Sequence, residues 1–259
     1  MMALVLHHGH FCLNTGFFSR IGFIWPFRFY IPSIIMKKPT LLSWSSGKDS
    51  AWALYQLQQD PLIDLRGLFC TVNQEFSRVA MHGVRLDLLQ QQAQALGLPL
   101  EVIEIPWPCS NEAYGEIMSA FVGRAKAAGI KQFAFGDLFL EDIRRYREEK
   151  LAGSGIEPIF PLWNSKTPEL AQQMIAGGLR TVITCLDPKT MPVELAGHEF
   201  NQTFLDALPA GADPCGENGE FHSFAFDGPM FRHRVALQAG EVVTRDGYVF
   251  ADFLPTTAQ

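Results

Sequence analysis

The strongest constraint on what this chain can fold into is an alternation. Between Thr40 and Phe160, short apolar runs take turns with segments of helical period, and the first changeover is the polar turn Ser45-Ser46-Gly47-Lys48-Asp49-Ser50. Thr40–Ser43, Asp64–Val72, Leu100–Ile105, Lys131–Phe135 and Glu157–Phe160 read as strands. Between them, an apolar helix runs through Trp52, Leu54 and Leu57 and stops before Pro61. Leu86, Leu89, Ala93 and Leu96 recur at three- and four-residue steps and form one helix face, stopped by Gly97 and Pro99. Ile117, Phe121, Ala125 and Ala128 mark a further helix that ends at Gly129. Strands alternating with helices of this length bury their apolar faces as βαβ units, so the prediction is an α/β fold with a five-stranded parallel sheet.

After Trp163 the texture changes. A helix at Thr167–Ala176 leads into a strand at Leu179–Cys185, and a Gly/Pro-rich stretch, Leu208–Gly219, precedes strand-like segments at Phe221–Phe226, Arg234–Gln238 and Glu241–Phe250. This predicts a smaller α+β domain, with residues 36–163 and 164–259 as the two domains.

The turn at Ser45–Ser50 carries the chemistry. It sits where the first strand enters the first helix, and there free backbone N–H groups and the positive end of the helix dipole favour an anion. Ser45, Ser46 and Gly47 are small enough for the backbone to approach a phosphate, the hydroxyls of Ser45 and Ser50 can donate to it, and Lys48 adds a point charge. Asp49 would be repelled by phosphate unless a cation stands between them, which implies Mg²⁺ bound by Asp49. The turn is not a Walker A loop, because Leu42 and Asp49 stand where that motif needs a glycine and a Ser/Thr.

Composition narrows the partners. The 259 residues carry 21 Lys+Arg against 27 Asp+Glu, a net charge of -6, which lacks the broad basic footprint of a protein that lives on duplex nucleic acid. Five cysteines, widely spaced and never in C-x-x-C, make neither a disulfide framework nor a zinc ribbon, and point to a reduced, cytoplasmic compartment. Residues 1–35 differ from the rest: they hold no Asp or Glu, only Arg20 and Arg28 as cations, and eight aromatics without helical or strand period. Pro26, Arg28 and Pro32 break the one candidate membrane span, so no membrane partner is expected. The reading adopted is that Met36 is the true start and 1–35 is a non-structural extension.

Ser45–Ser50 resembles the PP-loop, S-G-G-K-D-S, of ATP pyrophosphatases with the Rossmann-like adenine-nucleotide α-hydrolase fold, departing from it at Ser46, where glycine is usual. If that position needs a positive φ, serine is penalised there. Four more segments narrow the resemblance. They are Thr71–Gly83, Gly136–Glu148, Phe160–Trp163 leading into Thr184–Asp187, and Asp213–Phe224 with its Gly-Glu-Asn-Gly-Glu-Phe-His-Ser-Phe run. Together they are similar to the diphthine–ammonia ligase family and its bacterial-type relatives. The resemblance implies that ATP activates a substrate carboxylate as an acyl-adenylate, with pyrophosphate held by the loop, and that ammonia displaces AMP. In eukaryotic and archaeal members the carboxylate belongs to diphthine, a modified histidine of elongation factor two. The resemblance also implies a nucleotide site reaching Thr71, Val72 and Gly136, and Asp137 at a strand end could hold Mg²⁺ or ribose.

Glu217, Glu220 and His222 lie in a glycine-broken turn entering a strand, where two carboxylates and an imidazole could receive ammonium and take its proton. Glu220 and His222 are expected on one side of that strand. Arg144 and Arg147 are candidates to clamp an anionic substrate, although Glu141/Arg145, Arg144/Glu148 and Arg145/Glu149 at i,i+4 spacing also read as a solvated helix face. Cys215 has no visible basic neighbour to activate it, and His82 reads as a structural histidine. Two other functions fit a PP-loop: sulfur transfer to RNA, which commonly uses paired cysteines and a basic module, and nucleotide sensing without catalysis.

Overall fold

A computed structural model describes residues 36–79 and 83–256. The expectations for residues 1–35 and for His82 lie outside the described residues. The first half contains β1 (Lys38–Ser43), α1 (Lys48–Gln59), β2 (Ile63–Asn73), β3 (Arg78–Val79), α2 (Leu86–Leu96), β4 (Leu100–Ile105), α3 (Asn111–Ala127), β5 (Gln132–Ala134), α4 (Glu141–Leu151) and β6 (Glu157–Ile159). The second contains α5 (Thr167–Ala176), β7 (Arg180–Leu186), α6 (Gln202–Asp206), β8 (Phe221–Asp227), β9 (Leu237–Arg245) and β10 (Tyr248–Pro255).

The five predicted strands form the parallel part of the first sheet. β2 pairs with β1 and with β4, β1 with β5, and β5 with β6, all parallel. The parallel order is therefore β4-β2-β1-β5-β6. The short β3 joins antiparallel at Val72 and Asn73, which also pair with β4, so β3 and β4 must lie on opposite edges of β2. From β1 the chain first steps outward through β2 to β4, then returns to the other side of β1 with β5. That reversal falls between β1 and β5, and the carboxyl ends of the strands at such a reversal are where open α/β sheets bind ligands.

The second sheet is antiparallel, in the order β8-β7-β10-β9. The sequence segmentation needs one correction here. The segment read as one strand, Glu241–Phe250, is a hairpin that turns at Asp246 and Gly247, whose φ values are 51° and 84°. Two successive positive φ values define the tight hairpin turn that an Asp-Gly pair favours, and β9 and β10 then pair from Tyr248↔Arg245 onward.

One apolar cluster fills the α1/α2 face of the first sheet and continues into the second, joining Leu42, Trp52, Leu54 and Leu88 to Phe221, Phe224 and Phe253. The opposite face is covered by α3 and α4 over Leu41, Phe69, Phe121, Phe133 and Phe135. There Phe69 packs at 4.9 Å from Phe121 and 4.8 Å from Phe133, centroid to centroid. Among the described residues no helix is long and apolar enough to cross a membrane.

Candidate active site

The Ser45–Ser50 turn closes over the first turn of α1. Ser46 sits at φ 71°, in the left-handed region that favours glycine, so the serine at this position is under strain. Its hydroxyl is buried without a hydrogen-bond partner. Its carbonyl is fully engaged, accepting from Ala225 N–H of β8 at 2.8 Å and from Gln92 Nε2 of α2 at 2.9 Å. The Lys48 N–H donates to Ser223 Oγ at 3.1 Å, so a strand of the second sheet already serves one of the free donors at the helix start. Ser45 and Ser50 hydroxyls lie 3.2 Å apart, and Ser50 Oγ donates to Gly47 carbonyl.

Lys48 is buried, with its Nζ 2.8 Å from Asp49 Oδ2 and 5.2 Å from the Phe221 ring centre. Burial works to lower the Lys48 pKa, but Asp49, Cys215 and Glu217 outweigh it and hold the ammonium above its ordinary value. Asp49 Oδ1 is buried and unpartnered. Ser46, Gly47 and Lys48 are closed off against β8, whereas Ser45, Asp49, Gly136 and Asp137 remain partly open at the carboxyl ends of β1 and β5.

Gly136 lies against the turn itself. A Cβ there would stand 3.0 Å from the Asp49 carbonyl carbon and 3.1 Å from Ser50 N, so the glycine allows the start of α1 to pack on the end of β5. Asp137 next to it accepts two hydrogen bonds from Arg147, Nε to Oδ2 at 2.5 Å and Nη2 to Oδ1 at 2.9 Å. Arg147 also stacks on Phe135 at 4.3 Å. Arg144 is held over Phe160 and Trp163 at 4.9 and 4.8 Å and pairs with Glu148; of the three i,i+4 pairs read from the sequence, this is the one that closes. Thr71 is half-buried near the end of β2, while Val72 is a core side chain whose strand position pairs with both β3 and β4.

The three acidic and basic residues of the glycine-broken turn part company. Glu217 reaches the carboxyl end of β5, where its Oε1 accepts from Leu138 N–H at 2.8 Å. Burial, strengthened by the charges of Asp49 and Asp137 and opposed by the Leu138 bond and Lys48, raises its carboxyl to about 7. Glu220 is turned back into its own loop. Its Oε1 accepts from Asp213 N–H and Asn218 Nδ2, and its Oε2 from Asn218 N–H, so its visible work is to brace the loop that presents Glu217. β8 begins at Phe221, and the Glu220 carbonyl just before it still accepts from Asp187 N–H, just past the end of β7. His222 is driven down to about 4 by burial and by Lys48, so it is neutral at pH 7. Cys215 donates to the Thr167 carbonyl; burial pushes its thiol well up, opposed by Lys48, the basic neighbour that the sequence did not reveal.

The structure therefore brings Lys48, Asp49, Asp137, Arg147 and Glu217 together at the carboxyl ends of β1 and β5, and shows two buried side chains, Ser223 and Gln92, bonded to the turn, which the sequence reading did not single out. A groove of about 520 Å³ lies instead at the amino ends of β1, β2 and β5, lined by Lys38, Gln56, Asp60, Leu62, Gln132 and Pro161, and holds none of these groups. Among the described residues no cluster of three His, Cys, Asp or Glu side chains could hold a metal unaided.

Comparison with known proteins matches the diphthamide synthase N-terminal domain to residues 36–157 and the diphthamide synthase C-terminal domain to residues 167–251. Relatives called diphthine–ammonia ligase are 29% identical over 118 residues in Bos taurus, 24% over 236 residues in Mus musculus and 22% over 229 residues in Homo sapiens. These cover 43%, 80% and 80% of this chain. The match spans 44% of the bovine relative's length and 85% of the mouse and human ones.

Proposed function

The chain belongs to the diphthamide synthase family, and from that premise we propose that it is an ATP-dependent amide ligase, adenylating a carboxylate and amidating it with ammonia, with release of AMP and pyrophosphate. Residues 36–163 serve as the ATP-binding domain and 164–259 as the substrate domain. The acceptor we assign by default is diphthine, the compound in the relatives' names, and the compartment is the cytoplasm.

The observation that carries the reading is the convergence, from both halves of the chain, of a phosphate turn, a cation–carboxylate pair and a raised carboxyl. The departing pyrophosphate takes the place of Asp49 beside Lys48 Nζ, and the dipole of α1 adds to that attraction. The residues present suit Mg²⁺ in the manner that ion prefers, through one or two carboxylates with the remaining positions left to phosphates and water. Asp49 Oδ1, buried and unpartnered, is the first oxygen it would use. When bound, the ion supplies neutralisation of the phosphate charge. Arg147 and the ring-held Arg144 orient the carboxylate substrate from the α4 side. Glu217, at about 7, is the stronger base of the turn and takes a proton from the attacking ammonia, a task that His222 at about 4 performs poorly.

The test is a product assay of the purified chain with ATP, Mg²⁺, ammonium and diphthine-bearing elongation factor. Ammonia-dependent AMP and pyrophosphate support the reading, and ADP as the product overturns it. Thiolated RNA in place of an amide would transfer the site to sulfur chemistry.

A further inference from the structure

We propose that Gln92 is a positioning residue for the phosphate turn: it pins Ser46 in a left-handed conformation that a serine would otherwise leave. Gln92 is fully buried on the apolar face of α2, where the neighbouring positions are Leu88, Leu89, Ala93 and Leu96. A carboxamide there is costly unless it is bonded, and this one is. Its Oε1 accepts from Trp44 Nε1 at 2.9 Å, and its Nε2 donates to Ser46 carbonyl at 2.9 Å and to Ala225 carbonyl at 2.6 Å. Ala225 N–H completes the ring by donating to Ser46 carbonyl at 2.8 Å.

Two of these four bonds end on the Ser46 carbonyl, and the other two hold the Gln92 carboxamide in place. With two donors on its carbonyl, the peptide that follows Ser46 is held against rotation, and the N–H groups that follow are themselves bonded, Gly47 to Ser45 Oγ and Lys48 to Ser223 Oγ. Glycine would keep the positive φ without help. Serine needs the pin, and Gln92 is the side chain placed to supply it. A residue of the second helix thus sets the geometry of a turn 46 positions earlier by a direct hydrogen bond.

The test is a rescue experiment with Gln92→Met, which keeps volume and removes both donors, alone and combined with Ser46→Gly. Hydrogen exchange of the amides in residues 45–50 reads the pinning directly and requires no ligand. Pyrophosphate affinity by titration calorimetry reads its consequence and rests on the function proposed above. Gln92→Met is expected to speed exchange in the turn and to weaken pyrophosphate binding about tenfold, the order of a left-handed penalty. In the Ser46→Gly background the same change should cost under about threefold. A double variant as impaired as Gln92→Met alone, in exchange or in affinity, overturns the proposal and makes Gln92 a packing residue. If Gln92→Met does not fold, Ser46→Gly alone decides: relief of strain predicts slower unfolding and unchanged exchange in the turn, and a faster-unfolding variant refutes the pin. Absence of pyrophosphate binding in the unsubstituted chain would count against the function, while the exchange result would still judge the pin.

Discussion

Glu217→Gln should separate stability from catalysis. The carboxyl stands near 7 instead of its ordinary 4.5. A carboxyl whose folded pKa lies above its unfolded value holds its proton more tightly when folded, so its ionisation subtracts stability as pH climbs from about 4.5 to about 7, and the subtraction is complete above that. At about 1.4 kcal/mol for each tenfold change in acidity, the upper bound is roughly 3 kcal/mol. The group is only partly buried and solvent screens it, so about 1–2 kcal/mol is the figure to expect. Glutamine keeps an oxygen for the Leu138 N–H and carries no charge. The variant should match the original chain at pH 4, where both side chains are neutral, and exceed it by about 1–2 kcal/mol at pH 8 in urea unfolding. The same variant has lost its base. It should still exchange labelled pyrophosphate into ATP when substrate is present, while amide formation falls by about 10²–10⁴. The original chain's amidation should rise with pH through about 7 as Glu217 ionises. A stability difference equal at pH 4 and pH 8, or amidation at the original rate, refutes the role given to this carboxyl.

Lys48→Met should reduce pyrophosphate release at least about 100-fold, as loss of a charge aimed at the leaving group does, and lower the unfolding midpoint because Asp49 is left unpaired; product analysis and thermal melts check both. Unchanged turnover would take the turn out of the mechanism. Gly136→Ala places a methyl about 3 Å from backbone on the first turn of α1, so a loss of about 1–3 kcal/mol and weaker nucleotide binding are expected, measured by urea unfolding and calorimetry. Arg147→Met strips Asp137 of both its hydrogen bonds and should cost about 1–3 kcal/mol, much of it restored when Asp137→Asn is added, a coupling that a double-mutant cycle reads.

The five parallel strands and the turn between Ser45 and Ser50 were legible because they depend on local pattern: apolar runs of strand length, helical periods, and small polar residues at one junction. The hairpin at Asp246 and Gly247 was written just as plainly in its Asp-Gly pair, and reading Glu241–Phe250 as one strand passed over it. The fate of Glu220 was not legible. Nothing in its sequence neighbourhood says that its carboxylate folds back onto Asp213 and Asn218, whereas Glu217, three positions earlier, extends to Leu138. The pairing of Arg147 with Asp137 was also hidden, because ten residues of turn and helix separate the two and no local period links them. Gln92 left one clue, a polar side chain on a face that otherwise runs Leu88, Leu89, Ala93 and Leu96. Such a residue calls for a bonded partner, but period alone cannot say that the partner is the Ser46 carbonyl.

The bond from Ala225 to Ser46 also limits how this protein can be taken apart. β8 comes from the far end of the chain, yet it supplies part of the scaffolding of a turn built near the start. A shortened chain ending after β6 would retain the whole signature that marks it as a nucleotide protein, and would lose the strand on which that signature rests. Transplanting an unrelated second half behind it would succeed only if the newcomer brought an edge with a donor and a hydroxyl in the places of Ala225 and Ser223. Shuffling of such halves is therefore constrained by two hydrogen bonds as much as by any contact with substrate.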